Sequence, residues 1–167
     1  MTNIREKSIL IVDDDAAMLR ALNKVLSGEG AVVARASWAG EVMEHLADNQ
    51  GHFDLIITDL RMPILNGQSI LGAVKAALPE VPVIVMTAYG SPEVEAACLD
   101  KGAAAFLEKP LDTPQLLAAI ERVFAARKPN REGRWRHLRG LRKPKASPSE
   151  NQTDFSRRTG LAEVVGS

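Results

Sequence analysis

Five residues of this chain have types and settings that suit chemistry: Asp13, Asp14, Asp59, Thr87 and Lys109. Each stands at or just beyond the end of a short apolar run. Ser8-Ile9-Leu10-Ile11-Val12 precedes the first two acids and Leu55-Ile56-Ile57-Thr58 precedes Asp59. Val83-Ile84-Val85-Met86 precedes Thr87, and Ala104-Ala105-Phe106-Leu107 ends two residues before Lys109. Three carboxylates brought to one place repel, and they need a cation, a proton or a shared ligand. With all-oxygen donors and no His or Cys beside them, the cation is a hard one, and Mg²⁺ is the natural choice. Mg²⁺ takes only one or two carboxylates and leaves coordination for phosphoryl oxygens. A Lys ammonium and a Thr hydroxyl aimed at the same point offer a phosphoryl group one charge and one donor. The chemistry implied is phosphoryl transfer, with a carboxylate as the nucleophile that forms an acyl phosphate.

These residues act together only if the chain brings the run ends to one edge. The runs begin near residues 8, 31, 54, 81 and 104, one strand plus one helix apart each time. That alternation predicts a parallel sheet with helices on both faces and right-handed crossovers. The continuous apolar runs fit strands buried on both sides. Between them Met18, Leu19, Leu22, Val25 and Leu26 recur at helical spacing, as do Ile70, Leu71, Val74 and Leu78, and the second helix is expected to turn Val42, Met43 and Leu46 inward. A fourth helix runs from about Pro92 to Lys101. The last has Leu116, Leu117, Ile120, Val123 and Phe124 inward. Asp15, Ser37 and Thr113 are the expected N-caps of the first, second and fifth helices, with Pro114 at the first position of the fifth. In open α/β sheets ligands bind outside the carboxyl ends of the strands, which is where the five residues stand.

The chain has 167 residues, enough for one ordinary domain with an appendage. Its lone Cys98 excludes a disulfide framework, and the expectation for it is a packed thiol. His45, His52 and His137 are scattered and suggest no metal site. No apolar run approaches a membrane span, and the first residues lack a secretory apolar region, so the cytoplasm is the expected compartment. The zero net charge hides an asymmetry. Residues 1–126 carry 10 Lys and Arg against 17 Asp and Glu, and residues 127–167 carry 11 against 4. An acidic body therefore precedes a basic tail, and the tail's composition argues for disorder.

Ile9-Leu10-Ile11-Val12-Asp13-Asp14-Asp15, the stretch from Asp54 to Asp59 with Met62-Pro63 and Gly67, Val85-Met86-Thr87-Ala88, and Lys109-Pro110 together resemble the receiver domain of bacterial two-component response regulators. The resemblance covers residues 6–126, and residues 127–167 stand apart as the basic tail. It implies a flavodoxin-like, doubly wound (βα)5 sheet with strand order 2-1-3-4-5. It implies that Asp59 accepts a phosphoryl group from a phosphohistidine on a sensor histidine kinase or a histidine phosphotransfer protein. Asp14 would bind Mg²⁺ directly and Asp13 through water, with Asp59 and the backbone carbonyl of Arg61 completing the set. Thr87 and Lys109 would hold the phosphoryl oxygens. Phe106 occupies the aromatic switch position that follows Thr87, and the face of the fourth helix, fifth strand and fifth helix would change its binding or dimerise. Such a chain is a signalling module and not a turnover enzyme. Lys109-Pro110 stands where the family commonly has a cis bond, and Arg61 and Tyr89 where it tunes the lifetime of the acyl phosphate.

Other readings of the same residues are weaker. A haloacid-dehalogenase-type phosphohydrolase needs a second Asp two residues after the nucleophile, where this chain has Arg61. A flavin or nucleotide binder needs an anion-binding loop after the first strand, where this chain has three acids. A degenerate receiver that acts only as an interaction surface would not need the full set of acceptor residues. The tail offers a further alternative. Arg134, Trp135, Arg136, Arg139 and Arg142 would contact nucleic acid or an anionic surface, or the basic tail would lie against the acidic body.

Overall fold

The computed structural model describes residues 4–48, 52–62 and 67–127. Five strands and five helices alternate: β1 (Ser8–Val12), α1 (Ala16–Gly28), β2 (Val32–Ala36), α2 (Ala39–Asp48), β3 (Leu55–Asp59), α3 (Gly67–Ala77), β4 (Val83–Thr87), α4 (Pro92–Asp100), β5 (Ala105–Glu108) and α5 (Thr113–Ala126). The strands form one parallel sheet in the order β2-β1-β3-β4-β5, as expected.

Alternation along each strand explains why the runs are apolar throughout. Ile9, Ile11, Leu55, Ile57, Ile84 and Met86 point to the face covered by α1 and α5, where Leu22, Leu26, Leu116 and Ile120 meet them. Leu10, Val12, Ile56, Val83 and Val85 point to the other face, under Val42 of α2, Leu71 and Val74 of α3, and Cys98 of α4. With helices on both sides neither face of a central strand meets water, so a polar residue inside a run would lose its hydration. Each of these Ile, Leu and Val side chains contributes on the order of 1.5–3 kcal/mol by leaving water. Ile4, ahead of the expected start of the domain, is fully buried in the first of these clusters.

Three local expectations need correction. The N-cap of α5 is Asp112 and not Thr113: its carboxylate accepts from Gln115 N–H at 2.6 Å, which moves Thr113 to the first helical position and Pro114 to the second. Ser37 does not cap α2 with its hydroxyl. Its backbone N–H and its hydroxyl both donate to the Glu41 carboxylate, and the helix starts at Ala39. Met43 is not an inward residue; it is 56% exposed. Asp15 does cap α1, accepting from Ala17 N–H at 2.8 Å. Cys98 is buried, and burial pushes its thiol pKa up. The Lys109-Pro110 bond is cis.

Arg127 was expected to open the tail, yet it is bound to the domain. Its guanidinium donates to the carbonyls of Asp54 at 3.2 Å and Glu80 at 3.4 Å, just ahead of the starts of β3 and β4. The rest of the tail, with Arg134, Trp135, Arg136, Arg139 and Arg142, lies outside the described residues. Among the described residues no helix is long and apolar enough to cross a membrane.

Candidate active site

The strand register assembles the site. Val12 pairs with Thr58 and Asp59 with Met86, while Thr87 pairs with Glu108. Asp13 is thus level with Asp59, Thr87 stands one row beyond Asp59 and Lys109 one row beyond Thr87, so the four emerge along one end of the sheet. Backbone bonds carry the ladder past the strand ends and hold these residues in place. Asp13 N–H donates to Ala36 O at 3.1 Å, Leu60 N–H to Met86 O at 2.7 Å, and Lys109 N–H to Thr87 O at 2.7 Å.

Asp13 and Thr87 are fully buried and Asp59 is 5% exposed. Asp14, next along the chain from Asp13, is exposed to solvent. One carboxylate oxygen from each of Asp13, Asp14 and Asp59 lies within 4.8 Å of the others. The Lys109 ammonium reaches into this group, 2.6 Å from Asp13 Oδ2 and 3.4 Å from Asp59 Oδ1. The other Asp13 oxygen accepts from Asp15 N–H at 2.9 Å. Thr58 donates its hydroxyl to the Asp59 carbonyl at 3.1 Å, which uses up the one polar side chain in the buried body of β3. Thr87 Oγ1 accepts from Tyr89 N–H at 3.1 Å, which leaves its proton free to donate elsewhere.

Burial is the largest influence on Asp59 and raises its pKa above the usual carboxylate value. The Asp13 charge adds to that effect, and Lys109 opposes it. Burial also works to lower the pKa of Lys109, but Asp13 and Asp59 together outweigh it and raise that pKa above its ordinary value. Lys109 is therefore a cation at neutral pH. Three carboxylates and one ammonium leave two negative charges at one spot, all of whose donors are oxygen. A small divalent cation fits that donor set in charge and in kind.

Two features around the mouth were not visible as contacts in the sequence. The Arg61 guanidinium stacks over the Tyr89 ring, 4.7 Å from its centroid, bridging the loops that follow β3 and β4. Glu108 packs its side chain across Gly90, so closely that a Cβ there would stand 1.8 Å from its carboxylate oxygen. Phe106 is partly buried against the cluster beneath α2, α3 and α4. It also lines an open groove of about 570 Å³ between α4, β5 and α5, together with Leu99 and Val123.

Comparison with known proteins agrees with this fold. The family model described as the response regulator receiver domain matches residues 9–121. The chain belongs to that family. Among its relatives is the transcriptional regulatory protein GlrR of Escherichia coli, 35% identical over 136 residues, 81% of this chain and 30% of that protein. ZraR of Escherichia coli is 38% identical over 117 residues, 70% of this chain and 26% of that protein. This receiver thus spans less than a third of the length of these curated relatives. Similar solved structures include a response regulator receiver domain protein from Clostridium thermocellum, at 30% identity and TM-score 0.67, covering 71% of this chain and 94% of that one. The beryllofluoride-activated NtrC4 receiver domain, solved as a dimer, is 30% identical with TM-score 0.66, covering 71% of this chain and 96% of that one.

Proposed function

We propose that Asp59 of this receiver is a phosphoacceptor in a two-component phosphorelay. The observation that carries the reading is the cluster itself: a mostly buried carboxylate at a strand end, two further acids within 4.8 Å, and an ammonium in contact. A carboxylate oxygen of Asp59 attacks the phosphorus of a phosphohistidine. The P–O bond forms as the P–N bond breaks, and the electron pair returns to the imidazole of the donor. The donor is a sensor histidine kinase or a histidine phosphotransfer protein, and the exchange takes place in the cytoplasm.

Each neighbour has a role that its position supports. Asp14, Asp13, Asp59 and the Arg61 carbonyl would hold Mg²⁺, which when bound neutralises charge on the phosphoryl oxygens. Lys109 stands ready to exchange its pairing with Asp59 for pairing with the phosphoryl group on it. Thr87, its proton free, donates to a phosphoryl oxygen. That movement biases Phe106, which lies on the neighbouring strand and lines the α4–β5–α5 groove. The groove's Leu99 is 44% exposed, and it carries Glu95 and Arg122 on opposite walls. A second copy or an effector protein suits such a face. The stacked Arg61 and Tyr89 cover the mouth of the site and slow the entry of water to the acyl phosphate.

The test is phosphotransfer from purified, radiolabelled histidine kinases of the host to the full chain. One kinase is expected to pass label to the chain rapidly and to others slowly. A chain that accepts label from none of them, even with Mg²⁺, would be a receiver used only as a binding surface.

A further inference from the structure

A second open feature lies on the far side of the molecule from the α1 and α5 layer. α2 and α3 part to leave a cleft of about 80 Å³, room for one aliphatic side chain, walled by Val42, Met43, Leu46, Ile70 and Ala73. Met43 at its rim is 56% exposed, and Trp38 at the start of α2 is 58% exposed. None of the residues that wall the cleft is charged, and the charge on α2 itself has one sign. α2 carries Glu41, Glu44 and Asp48, with Glu44 and Asp48 exposed, and its one His45 is bonded at 2.8 Å to the Arg35 carbonyl. The only charged residue of α3 is Lys75, whose ammonium is turned onto the carbonyls of Pro79 and Val81. An apolar slot beside a helix whose outer side is acidic suits a basic segment with apolar side chains.

The chain itself contains such a segment. Residues 134–142 read Arg-Trp-Arg-His-Leu-Arg-Gly-Leu-Arg, with Trp135, Leu138 and Leu141 three apart among four arginines. The tail also starts in the right place. Arg127 is fixed to the carbonyls of Asp54 and Glu80, in the connections by which α2 and α3 return to the sheet. Arg127, the last described residue, therefore sits at the end of the domain where α2 and α3 finish. Eight residues from Arg127 to Trp135 reach at most about 26 Å, and α2 is only about 15 Å long. The larger groove between α4, β5 and α5 is the poorer seat for the same segment, because Arg122 and Arg127 line it against a single acid, Glu95.

We propose that segment 134–142 docks in the α2–α3 cleft of its own chain. A leucine fills the pocket, Trp135 lies on Met43, and the arginines reach over α2 to Glu44 and Asp48 on its outer side. The tether makes the association intramolecular, so modest contacts suffice. Its electrostatic part weakens in about 1 M salt, where charges are screened within about 3 Å.

The chain has two tryptophans, so Trp38→Phe leaves Trp135 as the only one. In that full-length variant at low salt, Trp135 emission is expected at short wavelength, independent of protein concentration. High salt, Met43→Glu, or Glu44→Lys with Asp48→Lys should each move it toward the wavelength of tryptophan in water. Because all three positions are exposed, these substitutions leave the core intact, and far-UV circular dichroism checks that they do. Emission already at the water-exposed wavelength would overturn the proposal. So would short-wavelength emission that ignores both sets of substitutions, or that depends on concentration, which would assign the cleft to a second copy. Emission that moves only when duplex DNA is added would assign the segment to nucleic acid instead.

Discussion

At the scale of the residue, Lys109 decides how the acids coexist. Asp13 is fully buried, and its partner ammonium lies 2.6 Å away. Removing one member of a buried pair leaves the other uncompensated, which typically costs about 3–5 kcal/mol. Lys109→Met is therefore expected to lower stability by about 3 kcal/mol in urea unfolding at pH 7 with EDTA present, and Mg²⁺ should recover part of the loss. The pH dependence follows from the directions of the shifts. The folded pKa of Lys109 is raised, so its stabilisation is fully present below the ordinary lysine value of 10.5 and is lost as pH climbs through the raised value. Lys109→Met should lack that alkaline loss. Asp59 is also raised, but as an acid its sign is opposite: the folded state holds the proton more tightly. Stability falls as pH rises from 3.8 through the raised value, and Asp59→Asn should remove that part of the acid-range slope in metal-free buffer.

At the scale of the element, caps and register do most of the placing. Asp112→Ala should cost α5 about 1 kcal/mol, whereas Thr113→Ala, at a first-turn position outside the cap, should cost little. Thermal melts of the two variants would show whether the cap is where the geometry puts it. The strands, and the polar residues at their ends, were legible because a doubly covered strand must be apolar along its whole length. A polar residue directly after such a run is then conspicuous, as Asp59 is after Ile57 and Thr58. Asp112 and Thr113 are both good caps at adjacent positions, so composition cannot choose between them; the bond to Gln115 N–H does. Met43 was misread because α2 has periodicity enough for an inner face, but the inward stripe narrows to Val42 and Leu46 beside the cleft. The Arg61–Tyr89 stack and the packing of Glu108 on Gly90 join separate loops. Only the strand register brings those loops together.

At the scale of the whole molecule, the domain is a sheet with its charge problem at one edge and its tail rooted at the other. Lys109 offsets only one of three carboxylates, and a divalent cation at the cluster would offset the rest. Mg²⁺ should therefore raise the melting temperature by mass action, by about 2.7 kcal/mol of added stability at a hundred times its dissociation constant. Asp14→Asn should remove most of that rise. Asp14 is exposed, so the variant should otherwise melt like the parent. An equal rise in the variant would place the cation elsewhere. The tail's basic character was plain in the sequence, but its root was not: Arg127 looked like the first residue of the tail and is instead fastened to two carbonyls of the domain.

The central claim is that Asp59 takes the phosphoryl group. Its most direct test is intact-mass spectrometry of the full chain after incubation with acetyl phosphate and Mg²⁺. The expected result is one added phosphoryl group that hydroxylamine removes, absent in Asp59→Asn and absent with EDTA. Uptake of the same hydroxylamine-sensitive group by Asp59→Asn to the same extent would contradict the assignment.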